Sequence, residues 1–163
     1  MKNNILIVYF SYTGNTKTIA QYLQKQLNCD ILELKPVNPY SDDYQTVVDE
    51  EQRKEGSNHL PEIQNINVNL NDYDKIIIGT PVWWYNVSPV VRTFLTQNDL
   101  SQKTVIPYAT NAGWLGRTLE NIKKLCPNSD VKLEKNIVFG SYSSNMITPI
   151  KEIDDWILKI KNL

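Results

Sequence analysis

Five short apolar runs alternate along the chain with segments whose apolar residues recur at helical spacing. Asn4 to Phe10 predicts the first strand, and Ile19, Ala20, Leu23 and Leu27 predict the helix after it, with Asn15 or Thr16 near its cap. Residues 29–35 predict the second strand, which Pro36 and Pro39 end; Ser41 to Glu55 follows as a polar helix whose Asp42, Asp43, Asp49, Glu50 and Glu51 read as a solvated face. From Gly56 to Asp72 the pattern is weak, with Pro61 and five asparagines, and predicts an extended surface connection. The third strand is Lys75 to Gly79, with a helix from Ser88 or Pro89 to Thr96. Thr104 to Ala109 predicts the fourth strand, demoted somewhat by Pro107, and Leu115 to Leu125 its helix, stopped by Pro127. Lys132 to Phe139 predicts the fifth strand. The last helix carries Ile150, Ile153, Trp156, Ile157 and Ile160 along one face. Apolar strands alternating with helices make an α/β fold, a parallel sheet covered on both sides.

At 163 residues the chain predicts a single domain with a core of its own, and 41% hydrophobic with 21% charged residues is an ordinary globular balance. No apolar run reaches the length of a spanning helix, so membrane insertion is not expected. The start Met1-Lys2-Asn3-Asn4 enters a strand with no long apolar region or cleavage site, and the cytoplasm is the expected compartment. A net charge of −1 gives no basic excess for nucleic acid, which leaves small-molecule and protein partners. Cys29 and Cys126 have no metal-ligand spacing and read as buried or idle thiols; His59, the only histidine, receives no role. No metal site is expected.

The chemistry gathers in three loops that a parallel sheet brings to one edge. After the first strand, Ser11-Tyr12-Thr13-Gly14-Asn15-Thr16 combines three small hydroxyls, an amide side chain and the free N–H groups of a helix start, which suits a terminal monophosphate. Such turns also serve simply as helix caps. Lysine is absent from the loop, so it is no P-loop, and the three spaced glycines of a dinucleotide fingerprint are missing. After the third strand, Thr80-Pro81-Val82-Trp83-Trp84-Tyr85-Asn86 sets three aromatics in succession, either a stacking wall for a flat ring or a hydrophobic corner over the sheet end. After the fourth, Thr110-Asn111-Ala112-Gly113-Trp114-Leu115-Gly116 adds small residues that let backbone approach a ligand and one more aromatic face. Together they imply a planar heteroaromatic ligand with a phosphate tail.

These residues resemble the flavodoxin family, through its Ser-x-Thr-Gly-Asn-Thr loop and a later Pro-[Val/Ile]-Trp-Trp signature, over nearly the whole chain. The resemblance implies a flavodoxin-like three-layer sandwich with a five-stranded parallel sheet of order 2-1-3-4-5 and helices on both faces. It implies bound FMN, the phosphate held by residues 11–16 and the ring by the loops 81–86 and 110–116. Where many relatives have glycine after the paired tryptophans this chain has Tyr85, then Asn86. A peptide there is expected to rotate when the flavin gains an electron, a movement that Tyr85 resists and Asn86 tolerates better.

The leading functional expectation is an electron carrier that exchanges electrons with redox partner proteins and needs no catalytic side chain. The alternatives are an NAD(P)H-dependent flavin or quinone reductase on the same scaffold, which needs space over the ring, and a non-redox binding module. Receiver-domain and tyrosine-phosphatase readings fail, because the first loop has neither the acidic residues of one nor the cysteine and arginine of the other.

Overall fold

The computed structural model describes residues 4–54 and 59–163. Met1-Lys2-Asn3 and residues 55–58, where the predicted polar helix ends and the predicted connection begins, lie outside the described residues. In chain order the elements are β1 (Ile5–Tyr9), α1 (Asn15–Leu27), β2 (Asp30–Glu33), α2 (Tyr44–Lys54), β3 (Lys75–Trp83), β4 (Asn86–Val87), α3 (Pro89–Gln97), β5 (Thr104–Asn111), α4 (Thr118–Leu125), β6 (Asp130–Val131), β7 (Lys135–Val138) and α5 (Ile150–Lys161).

The sheet runs β2-β1-β3-β5, with β6 and β7 both paired to the outer side of β5 and β4 antiparallel on the end of β3. Seven strands therefore stand where five were expected, although the order of the layers is the expected one. The fifth strand is split because three residues, 132–134, lie opposite only two, Ile106 and Pro107. Pro107 explains the place of the break. The Val105 carbonyl accepts from the Lys132 amide on this edge, so the nitrogen of Pro107, two residues on, points the same way and has no hydrogen to donate.

Alternate residues of β1 feed two cores. Ile5, Ile7 and Tyr9 pack with α1 and α5 through Ile19, Leu23, Ile153, Trp156 and Ile160. Leu6, Val8 and Phe10 pack with α3 and α4 through Val90, Val91, Phe94 and Ile122. Burial on both faces is why these strands read as continuous apolar runs rather than as alternating ones.

Other differences from expectation have local causes. Gly14 caps α1 at φ 108 with no side-chain cap, so Asn15 is the first helical residue. Strand β3 continues through Pro81, Val82 and Trp83, and β5 through Thr110 and Asn111, because each is still paired there by a neighbour. Helix α4 starts at Thr118, after a turn in which the Thr118 amide donates to the Leu115 carbonyl at 3.3 Å. Ile150 is 51% exposed and does not share the buried face of Ile153, Trp156, Ile157 and Ile160. Within the connection that follows α2, Ile63, Ile66, Val68 and Leu70 pack on the second core, and Pro36 and Ile63 form an antiparallel bridge. Cys29 and Cys126 are buried as expected, and burial pushes their thiols up to about 12 and about 11 respectively.

Candidate functional site

The C-terminal ends of β1, β3, β5 and β7 border a cleft with two adjoining lobes. The larger, about 570 Å³, is lined by Tyr12, Thr13, Asn15, Pro81, Val82, Trp83, Thr110, Asn111, Ala112 and Trp114, together with Tyr44 and Phe139 to Ser144. The smaller, about 430 Å³, extends toward α2 and is lined by Tyr12, Val82, Trp83, Trp84, Tyr85, Asn111, Ala112, Trp114, Tyr142 and the α2 residues Tyr44, Val47, Val48 and Glu51. The three predicted loops do meet. Ser11, Gly14, Thr16, Asn86, Gly113 and Gly116 line neither lobe.

Those six residues hold the loops in place. The Ser11 hydroxyl accepts from the Lys17 amide at 3.2 Å, and the Thr18 amide donates to the Gly14 carbonyl at 2.9 Å. Among the described residues the Asn15 and Thr16 amides find no protein acceptor, so two donors of the first turn remain beside the cleft. No acidic residue stands in that turn to oppose an anion. Thr16 is buried, its hydroxyl 2.7 Å from that of Thr110, which ties α1 to the end of β5. Tyr108, fully buried, donates to the Thr16 carbonyl at 2.9 Å. Gly79 makes that possible, since a Cβ there would sit 2.3 Å from the Tyr108 ring.

The opposite end is built from rings and a tight turn. Trp83 is wedged among Phe10, Tyr12 and Tyr40, with centroids 5.6, 5.9 and 4.9 Å away and edge-on geometry in each pair. Trp84 Nε1 donates to the Val48 carbonyl at 3.2 Å, fastening the turn to α2. Tyr85 and Trp114 are 54% and 64% exposed and meet edge to face at 6.4 Å. Trp84 and Tyr85 are the two residues between β3 and β4, and both lie at positive φ, 50° and 62°. Hairpins with that turn ordinarily carry Asn-Gly, so the backbone here is strained at two bulky residues. Positive φ thus falls on Trp84 and Tyr85 rather than on Asn86, which pairs with Trp83 in the ladder.

Several donors and acceptors of this end are already engaged. The Arg117 amide donates to the Tyr85 carbonyl at 3.0 Å, and Asn121 Nδ2 to Asn86 Oδ1 at 2.8 Å. The Gly113 and Trp114 amides donate to Asn111 Oδ1 at 2.9 and 3.1 Å, turning back into their own loop. At Gly116, φ 55, a Cβ would lie 2.3 Å from the Tyr85 oxygen, so glycine lets the two ring-side loops close on each other.

Two groups of lining residues were missed from the sequence. Gly140-Ser141-Tyr142-Ser143-Ser144 follows β7 and forms a fourth wall, joined to the first loop by Asn15 Nδ2 donating to the Ser143 carbonyl at 3.0 Å. Its run of hydroxyls after a strand was the available signal. Tyr44, Val47, Val48 and Glu51 come from α2, the helix read as solvated. Asp42, Asp43, Asp49 and Glu50 are indeed exposed, but Glu51 is only 6% exposed. Burial raises its carboxyl above the usual range, against the lowering charges of Lys54, His59 and Arg92. His59 lines a small chamber of about 30 Å³ behind Trp83 and Trp84, which Glu51, Lys54, Asn86 and Arg92 also border. Among the described residues no group of three His, Cys, Asp or Glu side chains could hold a metal, and no helix is long and apolar enough to cross a membrane.

The sequence profile of the flavodoxin family matches residues 4–157, and the chain belongs to that family. Its fold is shared with a protein from Bacteroides eggerthii assigned as a flavoprotein, at 28% identity and a TM-score of 0.78 over 96% of this chain and 97% of that one. A second such protein, from Bacteroides uniformis, gives 22% identity and a TM-score of 0.80 over 96% and 99%. A flavoprotein from Lactobacillus acidophilus, solved in complex with FMN, gives 24% identity and a TM-score of 0.75 over 96% and 99%. No curated protein sequence matches the chain.

Proposed function

We propose that this member of the flavodoxin family is an FMN-binding electron-transfer protein, acting as one domain between redox partner proteins. The observation that carries the reading is the polarity of one continuous cleft. Its β1–β7 end offers hydroxyls and amides from Thr13, Asn15 and residues 141–144, with no carboxylate in the larger lobe; its other end offers Trp83, Tyr85 and Trp114. That donor set fits a phosphate monoester at one end and a flat heteroaromatic ring at the other. Binding of FMN by the Lactobacillus acidophilus protein supports the choice of cofactor.

Under this reading Thr13, Asn15, the α1 amides and the serines of the fourth wall hold the phosphate. Trp83, Tyr85, Ala112 and Trp114 border the ring and exclude water from it. When bound, FMN supplies one- and two-electron redox chemistry, and the protein sets orientation, access and local charge. The exposed faces of Tyr85 and Trp114 give electrons a short route to a docked partner. A second reading, an NAD(P)H-dependent flavin or quinone reductase, is favoured by the smaller lobe, whose volume of about 430 Å³ beside the tryptophans could admit a second flat molecule.

The deciding experiment is reconstitution with FMN, followed by anaerobic mixing with NADH, NADPH or a reductase protein. A flavin spectrum, release of FMN on denaturation, and reduction only through the reductase protein are the expected results. Fast direct reduction by a nicotinamide cofactor selects the second reading, and failure to bind FMN at excess ends both.

A further inference from the structure

The one carboxyl among the residues that line the two lobes comes from α2, a helix with no place in the predicted site. Glu51 is a wall residue of two spaces at once, the α2-side lobe beside Trp83, Trp84 and Tyr85 and the small chamber behind the tryptophans. It is therefore a carboxylate 94% buried that stands between the ring end of the cleft and a small antechamber also lined by Lys54, His59 and Arg92. We propose that Glu51 is the proton-accepting residue of the ring end, taking up a proton from solvent hydronium through the antechamber when an electron enters the cleft.

The charges around it favour that role. From α2 itself come Lys54, with Nζ 3.8 Å from Glu51 Oε1, and Glu50; His59 comes from the segment after α2, Arg92 from α3 and Tyr40 from the loop before α2. Lys54 is 43% exposed on its side chain, so its charge is well screened and holds the carboxylate only weakly. The Tyr40 hydroxyl is buried without a hydrogen-bond partner, and burial together with the Glu51 charge pushes it up, so it stays protonated beside the carboxylate. On the wall of the lobe stand Tyr12, Tyr44, Tyr85 and Tyr142, none of them cationic. A negative charge arriving in that lobe finds no positive side chain on its wall, and the one carboxyl there is an acid already held above its usual range. Protonating Glu51 cancels one of two like charges held in a low-dielectric site.

FMN, when held in the lobe, would supply the electron acceptor for a reduced partner protein, which is oxidised by one electron. At Glu51 one O–H bond forms on a carboxylate oxygen as one O–H bond of hydronium breaks and water is released, so the lobe would gain one electron and one proton.

The inference rests on FMN being the cofactor, and it is tested by measuring the midpoint potential of the FMN-loaded protein against pH for wild type and Glu51→Gln. At high pH the wild-type carboxylate opposes the incoming electron, so its potential lies below that of Glu51→Gln. On acidification Glu51 becomes neutral and the two curves converge, the difference changing by up to about 59 mV per pH unit for a one-electron step. Lys54→Gln removes a lowering charge and moves the convergence to higher pH. Carboxyl carbon resonances of the glutamate-labelled apoprotein give a reading without flavin: one glutamate titrates above the rest, and that resonance is missing in Glu51→Gln. A potential difference that does not change with pH, or a Glu51 resonance titrating with the exposed glutamates, overturns the proposal while leaving FMN binding intact. Failure of wild type to bind FMN overturns the functional reading first, and the proposal with it.

Discussion

The two ends of the cleft are held in opposite ways. At the α1 end, small residues close a loop by hydrogen bonds of 2.7 to 3.2 Å, within a few positions through Ser11 and Gly14 and from α1 to the end of β5 through Thr16 and Thr110. At the tryptophan end, large rings sit on a turn with two residues at positive φ, kept there by contacts with α2 and α4, distant in sequence. The first end is preorganised to bind, at little conformational cost. The second stores strain at the end proposed to meet the ring and the partners, and strain of this kind persists only while the surroundings over-determine it.

The largest effect is expected where the α1 end depends on the core. Gly79→Ala drives a Cβ into the Tyr108 ring and breaks the bond to the Thr16 carbonyl. Overpacking plus a buried hydrogen bond predicts a loss of about 3 kcal/mol in stability by urea denaturation. Gly116→Ala makes the matching clash with Tyr85 at the tryptophan end. The comparison predicts a smaller stability loss there, because these loops are exposed and can part, but weaker riboflavin binding. Equal stability losses at the two glycines would remove the distinction.

Next come the two threonines of the first loop, which the structure separates. Thr13 is exposed and lines the cleft; Thr16 is buried against Thr110. Thr13→Ala is expected to weaken FMN by roughly 1.5–3 kcal/mol, the worth of a hydrogen bond to a charged group, and to leave riboflavin unchanged. Thr16→Ala instead costs about 1 kcal/mol of fold stability and weakens both ligands alike. Isothermal titration with the two flavins checks the split. If Thr16→Ala selectively weakens FMN, Thr16 reaches the phosphate after all.

The contrast also explains what could be read in the sequence. Residues 11–16 and the order of layers were legible because contiguous residues and strand periodicity carry them. The split of β6 from β7 was half visible in Pro107, but its effect depends on which edge that nitrogen faces. The fourth wall, residues 140–144, was legible only as hydroxyls after a strand. Glu51 was not legible at all: a charged residue in a polar helix reads as solvated, and its burial depends on elements distant in sequence, the Trp83–Tyr85 turn among them, packing around α2.

That burial has a consequence for folding. The Glu51 carboxyl is raised in the folded state, so above its folded pKa the protein must bury a charge that the unfolded chain leaves in water. Below the unfolded value both states are protonated and the penalty is absent. Glu51→Gln should therefore be more stable than wild type at alkaline pH, and the advantage should vanish as pH falls toward the ordinary glutamate range. Loss of the 3.8 Å pairing with Lys54 offsets part of the gain, less than a full ion pair because Lys54 is half exposed. Thermal melts across pH check it, and a gain that grows on acidification would contradict the assigned burial.

The smallest effect tests the strained turn directly. Tyr85 sits at φ 62, where a non-glycine residue costs of order 1–3 kcal/mol, and Asn is the side chain best suited to that region after glycine. Tyr85→Asn removes strain without glycine's extra chain entropy, but it also removes the edge-to-face contact with Trp114, which is mostly exposed and worth little. A net gain of about 0.5 kcal/mol is expected, with Tyr85→Gly close to neutral and Tyr85→Val lower by about 1 kcal/mol, since a β-branched residue resists positive φ. At the α1 end the reverse substitution, Gly14→Ala, meets no atom within 4 Å and yet is expected to destabilise, because its φ of 108 is strained for any side chain. If the turn is instead relaxed, the order Asn above Gly above Val disappears, and the three variants will differ only by the area of ring they lose.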